Sequence, residues 1–251
     1  RKRADGMFEA FHYYTMRQSI YEGFTLDVIQ NYTTYKRWFK VLQKSEEDKK
    51  LPESRATRAL VNFVDSHEET IHRKVMIILD QFRNKTEKTI GGKGRGMVVV
   101  RSRLHCVLFF QEMVKQMREL ALPYSCLVAF SGTVTYNGEE FTEDSLNRGN
   151  GLAYGIPIEK GLKDPRYRIL IVSSKFQTGY DEPLLHSMFV DKVLNGIQCV
   201  QTLSRLNRVT TGKTETFVLD FVNKYEDIIL SFEPFFTTKE AVHGVGLGLF
   251  V

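Results

Sequence analysis

Gln201, Arg205 and Arg208 stand in the order Q-x-x-x-R-x-x-R within QTLSRLNR. At helical spacing, one face carries an amide and two guanidinium groups. That donor set suits the oxygens of a polyphosphate, because each guanidinium presents a planar fork of N–H groups. Arginines aimed at a transferring phosphoryl group stabilise charge that develops in the transition state. The plainer alternative is an amphipathic helix with Leu203 and Leu206 inward and solvated arginines outward. The neighbourhood weighs against it, since KFQTGYDEP (175–183) follows a buried-strand pattern a short way upstream.

The elements that must position these residues alternate between strand and helix. Short, almost continuously apolar runs predict strands at 97–101, 125–130, 168–172, 187–190 and 215–220. Helices are predicted at 104–120, 196–206 and 224–232, and a glycine- and asparagine-bearing stretch runs to Leu162. That alternation implies an α/β fold, a parallel sheet covered by helices on both faces, with ligands at the carboxyl ends of its strands. GGKGRG (91–96) reads as a hinge-like loop. Upstream, Met16, Ile20, Phe24 or Leu26, and Ile29 recur at helical spacing, 33–42 is β-rich, 45–54 is a polar connection, and 56–64 and 71–82 read as helices. Residues 1–90 are therefore expected to be a mostly helical accessory or linking element with a short β-rich stretch, followed by the sheet domain over 91–240 and a tail at 241–251.

Composition sets outer limits. A 251-residue chain of net charge +5 and pI about 9.0 can build a sizeable core and tolerates contact with nucleic-acid phosphates without requiring it. The opening Arg1-Lys2-Arg3 reads as a frayed end rather than a DNA arm. Three cysteines, Cys106, Cys126 and Cys199, sit in apolar runs and match neither a disulfide framework nor a zinc pattern. No apolar run is long enough to span a bilayer and no signal peptide opens the chain, so a soluble intracellular protein is expected.

Three motifs fail on their chemistry. Thr211-Gly212-Lys213-Thr214 imitates the end of a phosphate-binding P-loop, but Asn207 stands where the loop needs its first glycine, and the segment leaves a helix for a strand. GGKGRG precedes a strand and lacks the Lys-Ser/Thr ending. In His67-Glu68-Glu69-Thr70-Ile71-His72, Ile71 occupies the position a zinc-binding second histidine would need.

Three segments carry a resemblance: 16–36 (MRQSIYEGFTLDVIQNYTTYK), 97–113 (MVVVRSRLHCVLFFQEM) and 175–223, which runs from KFQTGYDEP through QTLSRLNR to FVLDFVN. Together they resemble the second helicase-like motor domain of the restriction (R) subunit of type I restriction–modification enzymes, which are superfamily 2 translocases. The resemblance implies a RecA-like sheet domain. In such motors ATP lies between two lobes; the first supplies the phosphate-binding lysine, the magnesium-holding acid and the catalytic acid, and the second supplies arginines. QTLSRLNR corresponds to motif VI, which implies that Arg205 and Arg208 contact the γ-phosphate, Arg208 as arginine finger, with Gln201 orienting the nucleotide or its attacking water. KFQTGYDEP corresponds to motif V, which gives Gly179 a close backbone approach and Asp181 a contact to nucleotide sugar or to a motif VI arginine. Many relatives carry a threonine where Ser173 stands and an arginine where Thr178 stands, and both positions are carried over as phosphate contacts. MVVVRSRLHC corresponds to motif IV, which gives Ser102 and Arg103 a DNA phosphate, with Ser131 and Gly132 touching the same strand.

For the whole enzyme the resemblance implies ATP with Mg2+, double-stranded DNA, a first lobe and a nuclease domain in the same subunit, methyltransferase and specificity subunits, and a bacterial or archaeal cytoplasm without membrane attachment. The chain has neither a P-loop nor the acidic motif that holds magnesium, nor a nuclease-type acid cluster, so alone it is expected to be inactive. Two other classes remain: a different superfamily 2 helicase or remodelling translocase sharing motifs V and VI, and a non-enzymatic module on a nucleotide-binding fold.

Overall fold

The computed structural model describes residues 14–36, 68–176 and 179–237. The expected connection at 45–54, helix at 56–64, tail at 241–251 and phosphate contact at Thr178 lie outside the described residues. Six strands form one sheet in the order β1-β8-β7-β2-β6-β3, every neighbouring pair parallel. They are β1 (Tyr32–Thr34), β2 (Arg95–Val100), β3 (Ser125–Ala129), β6 (Tyr167–Val172), β7 (Leu185–Asp191) and β8 (Phe217–Asp220). Every residue of β2, β6, β7 and β8 is buried, which is why the centres of these strands read as apolar runs rather than alternating ones.

The sheet divides the interior in two. Met97, Val99, Leu170, Val172, Met188, Val190 and Val218 point to one face, where α1 (Met16–Tyr21), α6 (Gly196–Leu203) and α7 (Tyr225–Thr237) supply Met16, Val200, Leu203, Ile228 and Phe232. Val98, Val100, Ile169, Ile171, Phe189 and Leu219 point to the other, covered by Ile78 and Phe82 of α2 (Glu68–Lys85) and Phe109 and Met113 of α3 (Arg103–Glu119). Each fully buried side chain of this size contributes about 1.5–3 kcal/mol.

The pattern expected over 91–240 is present, with differences that have physical causes. The stretch after β3 is not irregular: β4 (Thr133–Tyr136) and β5 (Glu139–Thr142) form an antiparallel hairpin, followed by α4 (Glu143–Gly149) and α5 (Ile158–Gly161). Asn137 and Gly138 both have positive φ there, the geometry an Asn-Gly hairpin turn requires. GGKGRG is not a loose hinge throughout, because Gly94 and Gly96 are packed. A Cβ on Gly94 would lie 2.6 Å from the Thr86 carbonyl oxygen, and Arg168 donates two hydrogen bonds to the Gly94 carbonyl. Of the residues expected to form an accessory element, 32–34 are one edge strand of the sheet and 68–85 cover one face of it. Helical periodicity at 15–31 yields only α1, capped by the Thr15 side chain.

Candidate functional site

The predicted residues gather at two opposite edges of the sheet, about 20 Å apart for strands of six residues. At the carboxyl edge, β2 runs into α3 through Arg101 and Ser102. Ser102 is the N-cap, its Oγ accepting from the His105 backbone N–H at 3.3 Å. The exposed Arg103 donates to the Ser131 carbonyl at 3.1 Å, and a Cβ on Gly132 would meet its guanidinium at 2.9 Å. Ser102, Arg103, Ser131 and Gly132 are thus brought together at a helix N-terminus, where partial positive charge favours an anion. Ser173 is at the same edge but only 4% exposed; its carbonyl accepts from Lys192 Nζ at 2.9 Å. Sequence reasoning missed Lys175, whose ammonium contacts both oxygens of Glu143 at 2.8 and 2.9 Å while Glu143 also accepts from the Phe130 N–H. This clasp ties the start of KFQTGYDEP to the end of β3.

The other group does not lie at the carboxyl edge. Residues 179–184 lead into the amino end of β7, and α6 runs back antiparallel to β7, so Asp181, Arg205 and Arg208 meet at the amino edge. Nor do Gln201, Arg205 and Arg208 share one helical face. The α-helix ends at Leu203, Arg205 sits in a 3-10 turn (Ser204–Leu206), and Arg208 is extended, bridging to Thr25. The Leu26 N–H pulls the chain out of the helix by donating to the Asn207 carbonyl at 2.8 Å. That partner lies far away in sequence, which is why local spacing did not show the break.

Arg205 Nη1 donates to the Tyr180 carbonyl at 3.0 Å, and its Nε donates to the Gln201 carbonyl at 3.1 Å. Arg208 Nε stands 3.1 Å from Asp181 Oδ1. Burial and then the nearby Arg208 charge hold the Arg205 pKa below its ordinary value. Two cations therefore face a single exposed carboxylate, a donor set that fits a polyanion. Gly179 is exposed with φ +70°, and a Cβ there would meet nothing within 4 Å, so ligand could approach its backbone. Behind this cluster Lys213, 4% exposed, donates from Nζ to the carbonyls of Leu206 (2.7 Å), Arg208 (2.8 Å) and Pro183 (3.4 Å).

All three cysteines are buried and free, and burial raises the Cys106 and Cys199 thiols to about 12, which keeps them protonated and inert. Among the described residues no cluster of histidine, cysteine or carboxylate groups could hold a metal ion, and no helix is long and apolar enough to cross a membrane.

A parallel sheet in this strand order with helices on both faces defines a RecA-like α/β fold. A solved fragment of an HsdR subunit of a type I restriction enzyme from Vibrio vulnificus YJ016 superposes with a TM-score of 0.55 at 14% identity, covering 90% of this chain and 37% of that one. The family model of type I restriction enzyme subunit R domain 3 matches residues 133–223. The SauCOLORF180P endonuclease subunit of a type I restriction enzyme from Staphylococcus aureus (strain COL) is 25% identical over 238 residues, 83% of this chain and 24% of the relative. The HindI endonuclease subunit of Haemophilus influenzae is 29% identical over 76 residues, 28% of this chain and 7% of the relative. The chain is thus similar to type I restriction enzyme endonuclease subunits, and it spans about a quarter of the S. aureus protein's length.

Proposed function

We propose that this chain is the second motor lobe of a type I restriction enzyme R subunit, serving ATP-dependent translocation of double-stranded DNA before cleavage. The observation that carries this reading is the meeting of Asp181, Arg205 and Arg208 at one edge of the sheet, two guanidiniums against one exposed carboxylate. ATP with Mg2+ supplies the phosphoryl group, and a preceding lobe supplies the lysine and acids that this chain lacks. Arg205 is held by the Tyr180 and Gln201 carbonyls, so its remaining N–H groups are oriented before ligand arrives. Arg208 exchanges Asp181 for a phosphate oxygen and neutralises charge as the transition state forms. Gln201 orients the nucleotide or the attacking water, and Gly179 gives close backbone approach.

At the opposite edge, Ser102, Arg103, Ser131 and Gly132 hold DNA phosphates, with the positive end of α3 behind them. Such contacts position without reading sequence, as a translocase needs. Ser173 supports this edge from within. Methyltransferase and specificity subunits and a nuclease domain complete the assembly, which works in the cytoplasm of a bacterium or archaeon.

The test is made in the full-length subunit. Arg208→Ala should leave ATP and DNA binding nearly intact and remove most DNA-stimulated hydrolysis, by a factor on the order of 10³ or more. Arg208→Lys should rescue little, since a point charge does not reproduce the planar fork. Unchanged hydrolysis in Arg208→Ala would remove this residue from the mechanism.

A further inference from the structure

We propose that Lys213 is a positioning residue for the arginine pair, its ammonium locking the chain that carries Arg208 to the segment that carries Asp181. The inference rests on the reading of Arg205 and Arg208 as nucleotide-facing groups and deepens it. Thr211-Gly212-Lys213-Thr214 fails as a P-loop, yet its residues are shaped to a purpose. Gly212 has φ +81°, and the Lys213 N–H closes a turn on the Thr210 carbonyl at 3.0 Å, so the side chain enters the protein. There its three N–H donors face three carbonyls from two segments. Leu206 and Arg208 bracket the end of the 3-10 turn, where carbonyls lose their helical partners and a cation is favoured. Pro183 follows Asp181 by two residues. One ammonium therefore sets both ends of the Arg208–Asp181 pair, and no carboxylate contacts it among the described residues.

The charged groups around Lys213 are few. Glu182, ion-paired to Arg95, favours the ammonium from the Pro183 side; His186 on β7 feels the Lys213 charge, with Glu215 acting on the same imidazole; Arg208 is the neighbouring cation. Burial outweighs Glu182 and pushes the Lys213 pKa down to about 8. Above that pH the amine keeps two N–H donors for three carbonyls and the charge at the end of the turn is gone.

The experiment compares wild type, Lys213→Gln, Lys213→Met and Arg208→Ala in the full-length subunit, with thermal melts alongside DNA-stimulated ATPase across pH. Lys213→Gln should lower kcat on the order of 10–100-fold while KM for ATP and DNA affinity stay within about twofold. Lys213→Met should be at least as impaired. Wild-type kcat should fall as pH rises through about 8, and that limb should vanish in Lys213→Gln. A folded Gln variant with wild-type kcat, or one retaining the alkaline limb, overturns the inference. Should both Lys213 variants fail to fold, the wild-type profile decides, and absence of a limb near pH 8 overturns it. If Arg208→Ala still hydrolyses ATP, the underlying reading falls instead; if Arg208→Ala is inactive while Lys213→Gln is normal, only the role of Lys213 falls.

Discussion

His186 shows how one buried ring makes the fold sensitive to acid. It sits on β7, 2% exposed, with Nδ1 3.1 Å from the Thr86 hydroxyl and Nε2 without a partner among the described residues. Burial first, and the Lys213 charge second, lower its pKa from 6.5 to about 4. The unfolded chain therefore binds a proton that the folded chain refuses between those values. Stability is complete above pH 6.5 and declines as pH falls toward 4, by at most about 3 kcal/mol. Urea titrations across that window should show a slope approaching one proton, and His186→Gln should flatten it. An equal slope in the variant would assign the acid sensitivity elsewhere.

At the scale of elements, the clasp between β1 and β8 is the informative case. The Tyr32 hydroxyl donates to Asp220 Oδ2 at 2.6 Å, while Val222 and Asn223 donate backbone N–H groups to Oδ1 at 2.8 and 2.7 Å. Asn223 in turn holds the Lys192 carbonyl and the Leu194 N–H, fixing the approach to α6. Tyr32→Phe should cost about 1.5–3 kcal/mol, since it removes a donor from a buried acid. A loss below about 0.5 kcal/mol in urea unfolding would show that the edge strand is held by backbone pairing alone. β1 also marks where sequence was only partly legible, since the β-rich reading at 33–42 overlaps it at Thr33 and Thr34 without giving its place in the sheet. Strands β2, β3, β6, β7 and β8 announce themselves because burial on both faces demands mainly apolar residues at their centres, and α2 and α3 because one face must meet that sheet. Tyr-Thr-Thr is a strand only through its distant partner Val218-Leu219-Asp220. The β4–β5 hairpin, by contrast, carries a local signal that the sequence reading passed over, Asn137-Gly138 between alternating residues. For the candidate site, the residue types were legible in QTLSRLNR, but their division between helix, 3-10 turn and extended bridge depends on Thr25 and Lys213.

For the whole molecule, the proposed function puts two kinds of anion contact at two edges of one sheet and assigns this chain half of a nucleotide site. Purified residues 1–251 should therefore turn over ATP negligibly, with or without DNA. Turnover approaching the roughly 1–1,000 per second typical of complete enzymes would contradict the half-site reading. The pairing of Tyr32 with Val218 has a further effect, on the order in which the molecule can come into being. During synthesis the β2, β3 and β6 strands can associate as soon as they emerge, but β1, made before them, must wait for β8, which follows them all. The Thr25–Arg208 bridge waits with it. A ribosome-bound chain that has not yet reached β8 can pair β7, β2, β6 and β3 without the contacts that set Arg208, so the edge carrying Asp181 and Arg208 matures only after β8 has been made.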